Sequence, residues 1–320
     1  MRRIAVALGL AMLLPACGLS MAGAEEGQTA PVSVPSTIPA APPTSQASPA
    51  PTAPPPTAAA PSQAPSSEAS AARTFAVAPY FFVDEAGHPN RTGPFLVPVA
   101  REVEATRAVA RAAIEQLLAG PDAGELASVP AISTAIPEGV ELLGLTIEDG
   151  LAVVDLSSKF EIEDDSAAVA ARVAQVVYTL TRFDSVERVR FLQEGNEVKA
   201  PTSDGSLVGG AVTRGDYLDF AAAISVESPI YGATVSDKVR VTGYAAVFEA
   251  TFRYALTDGD GIIIEEGMAM ASNGMGWGTF DLTIDYKLDA AQRGALIVWA
   301  HSAKDGSKID VREHPLTLQP

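Results

Sequence analysis

From residue 73 onward, apolar and polar positions alternate in short runs separated by turn signals. Residues 75–83 and 95–99 are apolar stretches of strand length. Ala110, Ile114, Leu117 and Leu118 then recur at helical spacing, and Gly120-Pro121 supplies a stop. Two apolar runs, 140–146 and 151–156, meet across Asp149-Gly150, a pair that favours the positive φ angles of a two-residue hairpin. Val169, Val173, Val176, Val177 and Leu180 mark a second helix, with Asp164, Asp165 and Ser166 suited to its N-terminus. Val189 and Phe191 resume strand alternation up to a turn at Gly195-Asn196, and Val198 begins the return. The order strand, helix, hairpin, helix, hairpin predicts an α+β domain over 73–220, with two helices on one face of a sheet.

Beyond 221–223 the pattern holds only strands, at 224–226, 239–243, 248–256, 262–265, 280–284, 296–300 and 316–318. About seven short strands in about 95 residues is the spacing of an immunoglobulin-like β-sandwich, here over 221–320. Glycine-rich clusters at 259–261 and 273–278 fall between strands as turns. About 245 residues lie beyond Arg73, more than one typical core, which fits two domains.

The N-terminal residues follow a different pattern. Arg2 and Arg3 precede an apolar run, 4–14, that ends at Pro15-Ala16-Cys17, the layout of a secretory signal peptide. At about 11 residues the run falls short of the roughly 20 that a membrane-spanning helix needs. Residues 14–17 fit a lipobox, in which residues 1–16 are removed and Cys17 is lipidated. Ala22-Gly23-Ala24 fits ordinary signal peptidase, which would release a secreted protein instead. The lipobox is the preferred reading, because Cys17 is the sole cysteine and stands where a buried thiol has no use. Residues 24–72 are rich in Pro, Ala, Ser and Thr, with no aromatic residue and no Lys or Arg, and with Glu25, Glu26 and Glu68 as the only charges. Such a segment cannot bury enough apolar surface to offset ordering, so 17–72 is expected to be a disordered spacer.

Charge and chemistry narrow the functional classes. Cleavage before Cys17 removes Arg2 and Arg3, so the formal charge moves from −17 to −19. That surface repels phosphate backbones, and nucleic acid is not an expected partner. His88, His301 and His314 are the only histidines, none at metal-ligand spacing from another. Asp258-Gly259-Asp260-Gly261 opens like a calcium loop but continues Ile262-Ile263, where an oxygen ligand and a glycine are required. A hairpin turn is the better reading, and no metal or cofactor is expected. No nucleophile elbow, phosphate-cradling loop or His-Glu-x-x-His occurs. The chain therefore reads as a non-enzymatic binding protein.

Residues 75–220 resemble a GerMN domain, the module named from sporulation and spore germination proteins. The resemblance rests on Tyr80-Phe81, Leu96-Val97-Pro98-Val99 with Arg101, Leu117-Leu118-Ala119-Gly120-Pro121, Ile136-Pro137, Val154-Asp155-Leu156-Ser157 with Phe160, and residues 175–181. Residues 224–318 resemble the immunoglobulin-like domain of bacterial spore germination, through Ser228-Pro229, 239–243, Phe248-Glu249-Ala250, Phe280 and 302–307. The resemblance implies binding or assembly: self-association, docking of an envelope protein, or service to an envelope sensor kinase. A peptidoglycan or glycan contact is the alternative, with Trp277 as its aromatic platform. Arg101, Asp155, Ser157 and Gln175 are the candidate polar contacts, Asp155 and Ser157 sharing a strand face where capping a turn is the competing role. The expected location is the outer face of the cytoplasmic membrane, held by lipid on Cys17.

Overall fold

The computed structural model describes residues 73–84, 93–128, 132–162 and 167–320. Cys17 and the spacer lie outside the described residues, as do His88, Asp164, Asp165 and Ser166.

The expected strand at 75–83 is two strands. Pro79 has no N–H to give to a ladder, and the chain divides there into β1 (Thr74–Val77) and β2 (Tyr80–Val83). β3 (Phe95–Pro98) pairs antiparallel with β2, and β4 (Arg101–Glu104) pairs with β1. The first helix, α1 (Val109–Leu118), buries Ala113, Ile114 and Leu117. It ends where Gly120 takes a φ of 74°, a value glycine adopts without cost. A short helix that the pattern did not signal, α2 (Ala123–Ser128), follows, and β5 (Ile132–Ser133) completes a three-stranded sheet on the outside of β2.

The hairpin expected at Asp149-Gly150 joins β6 (Leu142–Glu148) to β7 (Gly150–Leu156), with Glu148 opposite Leu151. Asp149 and Gly150 have φ of 49° and 75°, the left-handed pair of a type I′ turn. The second helix, α3 (Ala167–Leu180), carries the chain back to β8 (Val186–Gln193), which lies parallel to β7. The sheet is thus mixed, with α3 as a β-α-β crossover between the two expected hairpins; the parallel pairing of β7 with β8 is what the pattern did not signal. β9 (Asn196–Glu197) turns back from β8 through Glu194 and Gly195, one residue earlier than expected; both have positive φ. Three short pieces, β10 (Ala200–Pro201), β11 (Leu207–Val208) and β12 (Ala211–Val212), close the domain, and β12 pairs with β8.

α3 is not a surface helix on one sheet face. Its buried residues run around the whole circumference, because it packs on α1, on β2 and β3, and on β8. Its core partners include Phe81, Val154, Phe160 and Phe191. The expectation of two helices on a single sheet face therefore holds only in outline.

From Ile224 on, the chain is all β apart from one turn of 3-10 helix. β13 (Ile224–Ser228), β15 (Lys238–Ala245) and β18 (Gly278–Asp285) form one antiparallel sheet. β14 (Thr234–Ser236), β20 (Lys308–Gln319), β19 (Gln292–His301), β16 (Thr251–Asp258) and β17 (Ile263–Met270) form the other, in that order. Val239, Val241, Phe252, Leu256, Phe280, Leu296 and Leu318 make their shared core. The expected strand at 248–256 begins only at Thr251. Phe248–Ala250 is a 3-10 turn in which Glu249 and Ala250 have φ of 55° and 58°, which takes Phe248 off the ladder and leaves it exposed.

The two domains belong to one unit, Glu68–Pro320. Tyr231 N–H donates to Pro98 O at 3.0 Å, and Ala100 N–H to Tyr231 O at 3.2 Å, so backbone joins β3 to the segment after β13. The Tyr231 ring lies 5.1 Å, edge-on, from buried His314, and the Arg312 guanidinium lies 4.9 Å over Phe95.

Candidate functional site

Where the C-terminus of α3 faces β13, a polar cluster crosses the domain junction. Glu227 on β13 accepts from Arg214 Nη1 at 2.9 Å, from Arg182 Nη1 at 3.2 Å and from the Tyr80 hydroxyl. Arg182 Nη1 also donates to Glu227 O at 2.9 Å. Arg214 donates to Thr181 Oγ1 at 2.7 Å and to Tyr178 O at 3.0 Å, so it also satisfies a backbone carbonyl at the end of α3. Its guanidinium stacks 4.7 Å from the Tyr178 ring and 5.3 Å from Tyr80. The residue is placed by the turn 214–220, whose Thr213 and Asp216 form a reciprocal capping box.

Burial governs the ionisation of this cluster. It pushes the Tyr178 phenol up to about 12 and raises Tyr80 further, so both stay neutral hydrogen-bonding groups. For Arg214 burial acts against the charge, but Tyr80 and Glu227 beside it more than offset that and hold the proton firmly. Every charged group here is paired. This is a junction, and nothing in it is poised as a nucleophile or base.

Two cavities open beside the cluster. A cleft of about 720 Å³ is lined by Arg182, Asp184 and Arg214 of the first domain and by Glu227, Thr242, Tyr244 and Asp281 of the second. Thr242 and Tyr244 stand opposite Asp281 and Thr279 on the outer face of the β15–β18 pair. A smaller cavity of about 170 Å³ is lined by Tyr178, Leu218, Tyr244 and Trp277. Tyr244 and Arg214 belong to both, so they form the wall between a polar cleft and an apolar recess. Among the described residues no group of three His, Cys, Asp or Glu side chains converges as metal ligands.

The residues singled out from sequence lie elsewhere. Arg101 is buried, with Nε 2.8 Å from Glu125, Nη2 2.7 Å from Gly120 O, Nη1 on Gln116 O, and the guanidinium 4.7 Å over Phe81. It ties β4 to the C-terminus of α1. Gln175 is fully buried; it donates to Tyr80 O at 2.9 Å and accepts from Ala135 N–H at 2.7 Å. Asp155 accepts the Gly195 N–H at 3.0 Å and so caps the turn between β8 and β9, while Ser157 accepts the Glu141 N–H at 3.0 Å. Trp277 is half-buried against the first domain's core, and the exposed tip of its loop is Met275. Asp258 accepts the N–H groups of Asp260 and Ile262, which makes 258–262 a self-capped turn. His301 is an exposed neighbour of Trp299, and His314 is buried.

The sequence reading missed Arg182, Arg214, Glu227 and Tyr244. Tyr80 was noticed only as a motif residue. Tyr80 and Glu227 stand 147 positions apart in sequence, so no local spacing could have joined them. The one available signal was Glu227 itself, a charge next to the Ser228-Pro229 pair at the end of an apolar run.

These features define a class: a mixed α/β domain locked onto an all-β domain, with a shared cleft. Comparison with known proteins then supplies the family. Residues 79–199 match the family model described as sporulation and spore germination, and residues 223–307 match the immunoglobulin-like domain of bacterial spore germination. The chain thus carries a GerMN domain followed by that immunoglobulin-like domain. Among solved structures it is similar to the tandem GerMN domains of the sporulation protein GerM from Bacillus subtilis. The identity is 15%, over 77% of this chain and 61% of that one, with a TM-score of 0.36. It is also similar to the first GerMN domain of the same protein, at 20% identity over 44% of this chain and 98% of that one, with a TM-score of 0.35. The chain thus spans less than two thirds of the tandem protein. No curated protein matches it.

Proposed function

We propose that this protein is an extracytoplasmic, lipid-anchored binding protein that docks a component of the cell envelope, with the cleft between its two domains as the docking site. The observation that carries this reading is a cleft of about 720 Å³ lined by both domains and fixed by the paired charges of Arg182, Arg214 and Glu227. Lipid on Cys17 and the spacer through residue 72 supply the reach, with the α/β domain and an immunoglobulin-like sandwich at its end. A photo-crosslinking residue at Thr242, on the cleft wall, tests the docking role in whole cells. A discrete adduct that disappears when bulk is placed at Asp281 supports it, and no adduct with protein or wall material refutes it. Fractionation of Cys17→Ala tests the anchor: the variant is expected to leave the membrane pellet, and retention at high salt refutes the anchor.

A second reading, glycan binding, gains one observation. Tyr244 is partly exposed and flanked by Thr242, Thr279 and Asp281, an aromatic face with hydrogen-bonding groups around it. The aromatic platform thereby moves from Trp277 to Tyr244. Co-sedimentation with purified peptidoglycan, lost in Tyr244→Ala and kept in Trp277→Phe, is the result that favours sugar over a protein partner.

A further inference from the structure

Beside the cleft, the recess of about 170 Å³ is walled by three aromatic rings: Tyr178 near the end of α3, Tyr244 on β15 and Trp277 in the loop before β18. Leu218 adds an aliphatic wall, and Ala221 and Ser225 are the small residues lining it. Ser225 stands directly opposite Tyr244 in the β13–β15 pair, so both project from one sheet face. Ala221 and Ser225 are buried, and a larger side chain at either position would occupy the recess. Arg214 braces two of the rings. Its guanidinium lies 4.7 Å from the Tyr178 ring and 5.9 Å from the Tyr244 ring. Each of its three nitrogens donates elsewhere, Nε to Thr181, Nη1 to Glu227 and Nη2 to Tyr178 O. The surroundings are dry: burial pushes the Tyr178 phenol up to about 12.

We propose that the recess seats one apolar side chain of a docked peptide segment, of leucine, methionine or phenylalanine size, while the rest of that segment lies in the cleft. This assignment rests on the docking role proposed for the cleft. Size and polarity select the occupant. Roughly 150 Å³ of apolar cavity holds a benzene ring, so a recess of about 170 Å³ takes one group of that size. A lipid acyl chain overruns it. A sugar ring would bury its hydroxyls against aromatic and aliphatic carbon, with the Arg214 nitrogens already committed, a cost that an apolar group avoids. A peptide has both parts that the two cavities call for. Its apolar side chain suits the recess, and its amides and carbonyls suit the cleft, where Thr242, Thr279, Arg182 and Asp281 offer polar partners. Tyr244 and Arg214 line both cavities, so the two parts of such a ligand lie side by side. A side chain seated in a desolvated aromatic pocket is also where interfaces concentrate their binding energy.

The full-length chain carrying Trp299→Phe keeps Trp277 as its only tryptophan, so fluorescence then reports on the recess. Benzene is the probe. It is expected to shift the Trp277 emission saturably and to raise the melting temperature, as a ligand of the folded state does. Leu218→Phe adds bulk to the recess wall and is expected to abolish that shift, with circular dichroism checking its fold. Leu218→Ala is the second variant: the enlarged recess is expected to admit naphthalene, which the unmutated chain excludes. No saturable shift with benzene, a shift unchanged in Leu218→Phe, or an equal shift with N-acetylglucosamine overturns the proposal. The Thr242 crosslinker supplies the arm in whole cells, where Leu218→Phe is expected to weaken capture by about tenfold or more, the worth of burying one such side chain. Undiminished capture in Leu218→Phe, with benzene binding lost, overturns the peptide as occupant. Failure of benzene while capture stands removes the recess alone. No capture by the unmutated chain removes the docking role, and the peptide with it.

Discussion

Glu227→Gln is the substitution that most directly tests whether the domain junction is held by charge. Gln preserves the shape of the side chain but removes the countercharge of two guanidinium groups, Arg214 at 2.9 Å and Arg182 at 3.2 Å. It also leaves the Tyr80 hydroxyl with a weaker acceptor. Breaking a fully buried ion pair costs about 3–5 kcal/mol, chiefly through the uncompensated charge left behind. The Arg214 and Arg182 side chains retain 17% and 25% exposure, so water relieves part of that cost. The expected loss is about 2 kcal/mol. For a folded region of about 250 residues this corresponds to roughly 4–8 °C in melting temperature.

Calorimetry supplies the melting shift, and urea titration supplies the free energy with a check that the slope is unchanged. A cycle with Arg214→Met separates the pair from its surroundings. If Arg214 acts through Glu227, the double variant is less destabilised than the sum of the single ones, by about 1–2 kcal/mol. A Glu227→Gln variant within about 0.5 kcal/mol of the unmutated chain, or strict additivity in the cycle, refutes the reasoning. The junction would then rest on apolar contacts such as Trp277 and Leu218.

Three further outcomes follow from buried groups. Gln175→Leu leaves the Tyr80 carbonyl and the Ala135 N–H without their partner, and a loss of about 3 kcal/mol in urea unfolding is expected; a neutral result refutes a bridging role. Gly243→Ala puts a methyl group against Ser225 O and 2.7 Å from the Phe280 ring, between paired strands that cannot retreat, so soluble yield should collapse. Wild-type yield and melting temperature would count against that packing. Burial lowers the His314 pKa from 6.5 to about 4, with the Arg312 charge adding to it against the carbonyls of Pro229 and Ile230. The unfolded chain then binds the extra proton between these values. The stability is intact above about pH 6.5 and is lost toward pH 4, by about 3 kcal/mol. His314→Gln should flatten that part of the pH profile, and an unchanged slope refutes the assignment.

How much of this was legible in the sequence depends on whether the cause was local. Asp149-Gly150 announced its turn because only certain residues tolerate two successive positive φ values. α1 and α3 announced themselves by apolar spacing. What failed was pairing. Nothing near Val186 says that β8 runs parallel to β7, and nothing near Thr234 says that it meets Thr317. Pro79 did carry a local signal, overlooked within a long apolar run. Strands such as β15 and β18 were read too short because their outer faces carry Lys, Arg and Asp. The individual candidates fared worst for a related reason. Arg101 and Gln175 drew notice as polar positions within the GerMN-like motifs, and a polar motif residue is as often a buried one that ties elements together.

The junction between the domains has a composition that stability alone does not explain. Ion pairs removed from water gain little over well-packed apolar residues of the same size, because desolvation offsets most of the attraction. What they gain is direction: Arg214 meets Glu227, Tyr178 O and Thr181 at fixed angles, and only one placement of β13 against the end of α3 satisfies all three. An apolar seam of Trp277, Leu218 and Tyr244 alone would permit the domains to slide. The cleft is lined by both domains, so its width is set by that placement. A fixed width matters to a protein that must fit a partner between two surfaces. It matters far less to one whose domains act separately. Loosening the network with Glu227→Gln should therefore weaken capture at Thr242 while each domain remains folded, and a variant that binds unchanged would separate the cleft from the function.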